Sequence, residues 1–579
     1  MPVSQKSHLR ALYAAIVLGV ALGALPSTTA TVMAGVADVP VELESQASAA
    51  QASTDAYIQG LIDSLSSRAA SPVSISLRDA VATAIGNNPG NRAERRIPES
   101  EQYGVIDAAS AFEPVIAIDA SYTKSKLATA DALAGVTEVD ADGNPVLQDP
   151  SDQIREDDRY QADFSIRKMF RTGTRIGLRW KNARATSNSR FEELSPKFEP
   201  VVGVRLQQPL LRDFGAVTAN TNVRIAEETS RQAAAEFEEK LSDFVADVVS
   251  AYWDYVLAEA ELRVARHALR LASELATETR KRVDVGNLPP VSAQEALADA
   301  AAREEKVIAA EQAMSAAARK LQYLVMYSDH PGGVPRALVP ADDHNVADEM
   351  VDKSESLKTA VERRAEVRSA RIDVKTSMLE ERSARTNLLP SLDLVGRYEL
   401  VGLGGVNENR MPDEHDALGN SFDVLTTGDF FRYSLGVEFE VPLSNAAARA
   451  RHTRSEIDKR RREESLQQTI ADVALEVDES AGDLASAYKR VAAANLSREL
   501  AQENLRHQQH RYEVGKVTTT DVLDFQEKLS DAMATEARAI TDHAKAGAEL
   551  LRAEGTLLDH FGIRVSFDDA PQVPWWAKF

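Results

Sequence analysis

Two aspartates, three residues apart, are the side chains in this sequence whose type and spacing most directly suggest chemistry. Asp521 and Asp524 follow Gly515, a glycine at which a run of helix-forming residues is interrupted and then resumes. Residues three apart share one face of a helix, so the two carboxylates lie on the same side of it and could act together. An ordinary solvated helix face is the simpler explanation of the pair, because the helix dipole favours aspartate near an N-terminus.

Other reactive side chains do not form a catalytic or metal-binding pattern. His507 and His510 lie three apart on a predicted helix, but no third ligand accompanies them. The glycines at 402–405 lack the Lys-Ser/Thr pair that completes a phosphate loop. The chain has no cysteine, which excludes disulfides, thiolate metal sites and cysteine nucleophiles. The net charge of -22 disfavours nucleic acid as a partner. We therefore expect no enzyme activity, no cofactor and no metal centre.

The glycine break that precedes the two aspartates occurs twice in the chain. Arg511–Gln526 and Arg282–Glu295 align at an offset of 229, with an arginine, a valine and a glycine matched in each. Each stretch lies between two long segments rich in Ala, Leu, Glu and Arg. Glycine relieves the steric cost of the left-handed residue that ends a helix. Each stretch therefore predicts the turn of a helical hairpin.

The N-terminus predicts a secretory signal peptide at 1–37, followed by an extension at 38–75. Basic residues from Lys6 to Arg10 precede the short apolar run Ala11–Leu25, and small residues follow it. No later segment reaches about 18 continuous apolar residues, the length that a membrane helix needs. If the exported chain crosses a membrane, a β-barrel is the structure that remains.

Alternating patterns predict strands in both halves of the chain. Apolar residues recur at every second position, with polar or charged residues between them. The predicted spans are 114–124, 159–169, 174–184, 200–208, 390–400 and 431–441. A barrel in lipid around a wet lumen has this alternation, and so does a soluble sandwich. Short turns such as Arg171–Thr174 and long loops, including an acidic loop at Val401–Phe430, favour the barrel.

The two halves repeat one plan of short helix, strands and long helical hairpin. Leu77–Val81 is echoed by Leu357–Val361, and Pro114–Tyr122 by Pro390–Tyr398. The first repeat spans 76–326, and its helical hairpin is predicted at 217–326 with a tip near 285–290. The second repeat spans 356–560, and its hairpin is predicted at 445–558 with a tip near 514–520. A linker at 327–355 joins the two repeats, and a tail at 561–579 follows the second.

These duplicated turns, the Pro-led strands and the Pro-Leu entries into the long helices resemble the TolC-type outer-membrane efflux and secretion channels. The resemblance covers about residues 76–560. It implies a membrane α/β homotrimer, in which a transmembrane β-barrel in the outer membrane continues into a long α-helical coiled-coil barrel in the periplasm. It also implies a passive duct in a tripartite efflux or type I secretion system, with a periplasmic adaptor protein and an inner-membrane pump or ABC transporter as partners.

The resemblance leaves the number of strands open. Relatives commonly contribute four strands per copy to a barrel of twelve, whereas a hairpin at Tyr160–Trp180 predicts six per copy and eighteen in all. That hairpin could also fold over as a loop. A periplasmic coiled-coil scaffold without a pore is the alternative for the whole chain. The cargo (drug, metal ion or polypeptide) is left open as well.

The resemblance assigns roles to residues at the two turns. It implies that Asp521 and Asp524 form acidic rings at a gate and that Tyr512 helps to close it. Such rings, with three carboxylates each in a trimer, are expected to attract cations and, because the carboxylates are crowded, to have raised pKa values. The salt bridge that closes some relatives is missing, because Val517 and Ser292 occupy its positions. Closure is therefore expected to depend on Tyr512, or on Arg282 and Arg511. The expected adaptor-contact residues are Val285, Gly286, Asn287, Leu288, Val514, Gly515, Lys516 and Val517.

Overall fold

The computed structural model describes residues 73–128, 136–139, 141–142, 145–147, 154–188, 192–327, 336–342, 351–407, 413–567 and 574–578, together with residues 51, 54, 55 and 58. The predicted signal peptide and most of the predicted extension lie outside the described residues. No helix in these described parts is both long and apolar enough to cross a membrane.

The helices include four long ones, which follow the two sheet-forming regions in pairs. In chain order they are α1 (Leu77–Asn87), α2 (Pro89–Ala109), α3 (Ala216–Ala219), α4 (Thr221–Asp284), α5 (Pro290–Val325), α6 (Lys353–Arg363), α7 (Ala365–Thr386), α8 (Glu414–Thr427), α9 (Ala446–Glu513), α10 (Thr519–Ala553) and α11 (Leu557–His560).

The strands differ widely in length. In chain order they are β1 (Val73–Ile75), β2 (Val115–Ala128), β3 (Val136–Val139), β4 (Pro145–Leu147), β5 (Ile154–Met169), β6 (Arg175–Ser187), β7 (Lys197–Phe198), β8 (Val201–Pro209), β9 (Leu338–Pro340), β10 (Ser391–Val401), β11 (Gly404–Gly405) and β12 (Phe431–Glu440).

The described residues fall into two compact units. The first takes the described parts of 51–88, 251–343 and 508–530, and the second takes those of 89–250, 344–507 and 531–578. The first unit contains the parallel pair β1 and β9, which join the segments predicted as an extension and a linker. Three-residue strands carry no periodic signal, which is why the sequence did not predict them. The Tyr252 hydroxyl donates to Asp342 Oδ2 at 2.9 Å and secures this pair to α4.

The second unit contains an antiparallel sheet with six long strands, in the order β2, β5, β6, β8, β10 and β12. The short strands β7 and β11 pair at one end of it. The hairpin β5–β6 is paired on both sides, to β2 and to β8, so it is part of the sheet and is not a loop folded over it. β2 and β12 form the edges.

The two faces of the sheet differ in chemistry, as the alternation predicts. One face carries large apolar side chains that are solvent-exposed in the single chain, among them Ile118 (76%), Tyr433 (72%) and Leu435 (75%). The opposite face carries serines, glycines and charged residues such as Asp163 and Arg397. A face of exposed Ile, Leu, Tyr and Phe marks a surface that another apolar phase covers.

The acidic loop predicted at Val401–Phe430 is corrected by the structure, because residues 414–427 of it form helix α8. The Asp413 side chain caps the first turn by accepting a hydrogen bond from the His415 amide, at 3.1 Å. Gly428, with φ 76°, ends the helix. Gly404 lies against this helix so closely that a Cβ there would be 2.2 Å from the Ala417 carbonyl oxygen. The glycines before α8 therefore serve packing.

Two further features of the second unit were not predicted. Helix α2 begins at Pro89, directly after the single non-helical residue Asn88. The C-terminal tail is docked, since Trp576 packs on the cluster that contains Ala109 and Phe112.

Candidate functional site at the paired helical turns

The turn after α4 is a Schellman motif. Gly286 adopts φ 80°, its amide donates to the Val283 carbonyl at 2.9 Å, and the Asn287 amide donates to the Arg282 carbonyl at 2.8 Å. These bonds satisfy carbonyls that the end of a helix would otherwise leave unpaired. The motif leaves the Val285 side chain 71% exposed.

The turn after α9 has the same construction. Gly515 adopts φ 73°, its amide donates to the Tyr512 carbonyl at 3.0 Å, and the Lys516 amide donates to the Arg511 carbonyl at 2.9 Å. Val514 is 56% exposed, and Lys516 is exposed beside it. Of the eight residues predicted to contact an adaptor, only Leu288 and Val517 are partly buried; the others are exposed.

Tyr512 joins the ends of α4 and α9. Its side chain is 6% exposed, and its hydroxyl lies 3.1 Å from the Thr279 hydroxyl and 3.4 Å from the Thr519 hydroxyl. The Arg282 guanidinium sits 4.6 Å from the centre of the Tyr512 ring and donates to the Tyr512 carbonyl at 3.3 Å. Arg511, by contrast, donates to Gln508 on its own helix.

Asp521 closes a capping box at the start of α10. Its Oδ2 accepts hydrogen bonds from the Thr518 amide at 2.8 Å and from the Thr518 hydroxyl at 2.7 Å. The Asp521 amide in turn lies 3.2 Å from the Thr518 hydroxyl oxygen, which accepts its proton. The hydrogen bonds from Thr518 lower the pKa of Asp521. The shift within one chain is therefore opposite in sign to the rise expected of crowded carboxylates.

Asp524 lies one turn further along α10, on the same exposed side as Asp521. Between and beyond them Val522, Leu523 and Gln526 are buried, which fixes the direction of the exposed face. Glu527, which was not singled out from the sequence, continues this acidic face at the same spacing of three residues. Glu527 is paired with Lys306 at 3.5 Å, so its charge is partly neutralised. Among the described residues, no three acidic or histidine side chains converge as metal ligands.

Two threonines that were not singled out from the sequence contact Tyr512. Thr279 is fully buried and Thr519 is 3% exposed. Thr519 belongs to the threonine triplet after Gly515, which was a readable signal. Thr279 gives no such signal, because it lies more than 230 residues before Tyr512 and only the fold brings the two hydroxyls together.

Comparisons with known proteins agree with this architecture. The CmeC outer membrane channel of Campylobacter jejuni matches with a TM-score of 0.56 and 14% identity, covering 83% of this chain and 86% of that one. The outer membrane protein VceC of Vibrio cholerae matches with a TM-score of 0.56 and 15% identity, covering 83% and 96%. The open state of the MtrE outer membrane channel of Neisseria gonorrhoeae matches with a TM-score of 0.54 and 16% identity, covering 83% of this chain and 89% of that one. Identities this low establish likeness of fold.

The comparison of sequences is more specific. No curated protein matches the chain. The family model for outer membrane efflux proteins matches residues 182–325 and 356–556, which is more than half of the sequence. The resemblance to TolC-type channels is thereby confirmed. The chain belongs to the outer membrane efflux protein family, whose members are outer-membrane channels and not enzymes.

Proposed function

We propose that three copies of this chain form a passive duct through the outer membrane, within a tripartite efflux or type I secretion system. The observation that carries the proposal is the two-faced sheet, whose exposed apolar face suits lipid and whose charged face suits a water-filled lumen. Each copy supplies six long strands, so closure of three copies gives a barrel of eighteen. The unpaired edges β2 and β12 supply the seams between copies.

The paired turns form the gate and the partner surface in this proposal. Asp521 and Asp524, repeated in three copies, give six carboxylates that attract cations to the mouth. Tyr512, held by Thr279 and Arg282, keeps the two turns together in the closed state. The exposed apolar side chains of Val285 and Val514 offer a docking surface for the hairpin of a periplasmic adaptor, which an inner-membrane pump or ABC transporter would accompany.

The test is single-channel conductance in a planar bilayer. The variant Asp521→Asn/Asp524→Asn removes both charges, and asparagine at 521 keeps an acceptor for Thr518, so the cap of α10 survives. We expect a small cation-selective conductance in the wild type that rises and loses its selectivity in the variant. The control is Asp531→Asn, an exposed position further along α10.

The outcomes separate the parts of the proposal. If the double variant has the same conductance and selectivity as the wild type, the proposed channel stands and the proposed acidic gate is wrong. Failure of the wild type to insert, or solubility without detergent, would overturn the channel and favour a periplasmic scaffold.

A further inference from the structure

Three arginines lie in one row that crosses four neighbouring strands on the charged face of the sheet. The register places Arg167 beside Gly177, Gly177 beside Arg205, and Arg205 beside Arg397 in one row across the strands. Valine and serine complete this row on the two edge strands. No acidic residue lies in it.

The neighbouring rows extend the positive charge. One adjoining row contains Arg175, and the other contains Arg179 and Arg432 together with Glu399. We call the six arginines of these three rows the arginine band: Arg167, Arg175, Arg179, Arg205, Arg397 and Arg432. The three rows thus hold six guanidinium groups and one carboxylate.

Carboxylates lie within the band and in the row on either side of it. Asp119 lies opposite Asp163 in one of these outer rows, and Asp393 lies opposite Glu438 in the other. Glu399 pairs with Arg432 at 3.3 Å and lies 3.9 Å from Arg397. Asp163, in the next row out, pairs with Arg179 at 3.1 Å and is largely buried. Within the described part of the chain, Arg167, Arg175 and Arg205 form no ion pair with a carboxylate.

This arrangement costs stability if nothing binds to it. Arg205 and Arg397 are directly opposite each other on adjacent antiparallel strands, where like charges repel. Gly177 leaves the surface open between Arg167 and Arg205, and a Cβ there would lie 3.8 Å from Arg167 Cγ. Arg167, Arg205 and Arg397 are all exposed. A row of exposed guanidinium groups with free donors fits planar or tetrahedral oxyanions, which accept paired hydrogen bonds from arginine.

We infer that the arginine band binds small soluble anions that bear carboxylate, phosphate or sulfonate groups, and that organic anions are a cargo class of the duct. This inference rests on the proposed function, because it requires the charged face to line the lumen. A lipid phosphate is the less suitable ligand, because the apolar side chains that would accompany lipid lie on the opposite face of the sheet.

The first test is direct binding of pyranine, a fluorescent trisulfonate, to the detergent-solubilised protein at low ionic strength. The variant Arg167→Gln/Arg205→Gln/Arg397→Gln is compared with the wild type and with Arg451→Gln/Arg454→Gln/Arg460→Gln, which removes the same charge from exposed positions on α9. We expect binding to weaken about tenfold or more in the sheet variant only. Equal affinity in all three proteins, or an equal loss in the α9 control, would overturn the inference.

The second test adds pyranine to the wild-type pore in a planar bilayer. We expect it to reduce the current, and the sheet variant to lose this block. If the wild type conducts but pyranine blocks it no more than it blocks the sheet variant, the inference is wrong and the proposed channel is unaffected. A wild type that never conducts, although it binds pyranine, would overturn the proposed function and, with it, the cargo class. Displacement of pyranine by lipopolysaccharide but not by citrate would reassign the band to a lipid phosphate and overturn the inference.

Discussion

Tyr512 is the residue through which the two helical turns depend on each other. Its hydroxyl meets the Thr279 hydroxyl in a site where both side chains are almost completely buried. A buried hydroxyl that loses its partner costs about 1–3 kcal/mol. The pair therefore contributes both to stability and to the order of the two helical turns.

We predict that Tyr512→Phe and Thr279→Val each lower the free energy of unfolding by about 1 kcal/mol, because each leaves one hydroxyl with fewer partners. Since both variants remove the same contact, the double variant should cost less than the sum of the two by about 0.5–1 kcal/mol. Urea unfolding of the four proteins measures this coupling. Tyr323→Phe, at a 67% exposed position in the same unit, is the control. Strict additivity of the two substitutions would contradict the contact.

Glu239 is a second residue with an unusual environment. It lies on α4 in the second unit, near Glu366, Asp243 and Arg364. Burial, followed by the negative charges of Glu366 and Asp243, raises the pKa of Glu239 to about 7, against a weaker opposing effect of Arg364.

This shift predicts a pH-dependent stability difference between the wild type and Glu239→Gln. Below about pH 4.5 the carboxyl is protonated in both the folded and the unfolded chain, so it costs nothing. Between that pH and about 7 only the folded chain keeps the proton, and the stability of the wild type falls as the pH rises. Above pH 7 the variant should be more stable by about 1 kcal/mol, after allowance for solvent screening. Melting temperatures at pH 5 and pH 8 check this, with the exposed Glu227→Gln as control. A difference that does not grow with pH would refute it.

The acidic residues at the tip show how far sequence reasoning reaches at this scale. The residue types and spacing at Asp521 and Asp524 were readable, and so was the Thr-x-x-Asp capping box that starts at Thr518. The sequence could not show that Thr279 closes on Tyr512, because that contact depends on the packing of helices from different repeats.

At the scale of elements, the two helical hairpins use the same Schellman motif at their turns. In each, one glycine with positive φ allows the next amide to reach back to the last turn of the helix. Open space surrounds both glycines, so an added methyl group would meet no neighbour there. The requirement for glycine is therefore one of backbone conformation alone.

We predict that Gly286→Ala and Gly515→Ala each destabilise the tip by about 1 kcal/mol, because alanine resists the left-handed conformation. Hydrogen exchange of the amides at Asn287 and Lys516 should become faster in the corresponding variant. Gly547→Ala is the matched control, since Gly547 lies inside α10 with open space around it and without positive φ. That substitution should instead stabilise by about 0.5–1 kcal/mol. Slow exchange preserved in both tip variants would contradict the argument.

Elements with long periodic patterns were predictable, and short or isolated ones were not. Alternation indicated strands at 390–400 and 431–441, and the structure has Ser391–Val401 and Phe431–Glu440. Helix α8 was missed because its acidic, glycine-containing surroundings resemble a loop, although Asp413 and Gly428 are good end signals. The position of the hairpin β5–β6 in the sheet could not be decided from alternation alone, because a strand folded outside the sheet would alternate in the same way.

At the scale of the whole molecule, the edges of the sheet determine how copies could join. Among the residues that the structure describes, strand β2 is paired with β5 alone, and β12 with β10 alone. The chain contains no natural cysteine, so engineered cysteines report contacts between copies without background.

We predict that, in a cysteine scan along the charged face of β2 (odd positions 115–127) against the charged face of β12 (even positions 432–440), at least one pair forms disulfides between neighbouring copies. Closing a barrel staggers the strands, so the register across the seam is found by the scan. Paired positions come within the 4.4–6.8 Å between Cα atoms that a disulfide needs. Non-reducing gels should show cross-linked species up to three chains. Ser165→Cys on β5 replaces the β2 position in the control, because β5 is paired on both sides within its own chain. Monomers from every β2–β12 combination would refute a closed seam.

The two open edges also have a consequence for how copies of the chain assemble. In a lone copy, the outer side of the fourteen-residue strand β2 and the outer side of the ten-residue strand β12 have no paired strand among the described residues, and both lie beside a broad apolar face. Unpaired edges of this length adhere to any strand that they meet. A single copy is therefore prone to aggregate, and in the proposed trimer its insertion into the membrane would have to coincide with the pairing of these edges between copies. In that trimer, a mutant copy with one blocked edge would be more harmful than a missing copy, because it would pair with a wild-type copy through its free edge and leave the barrel open.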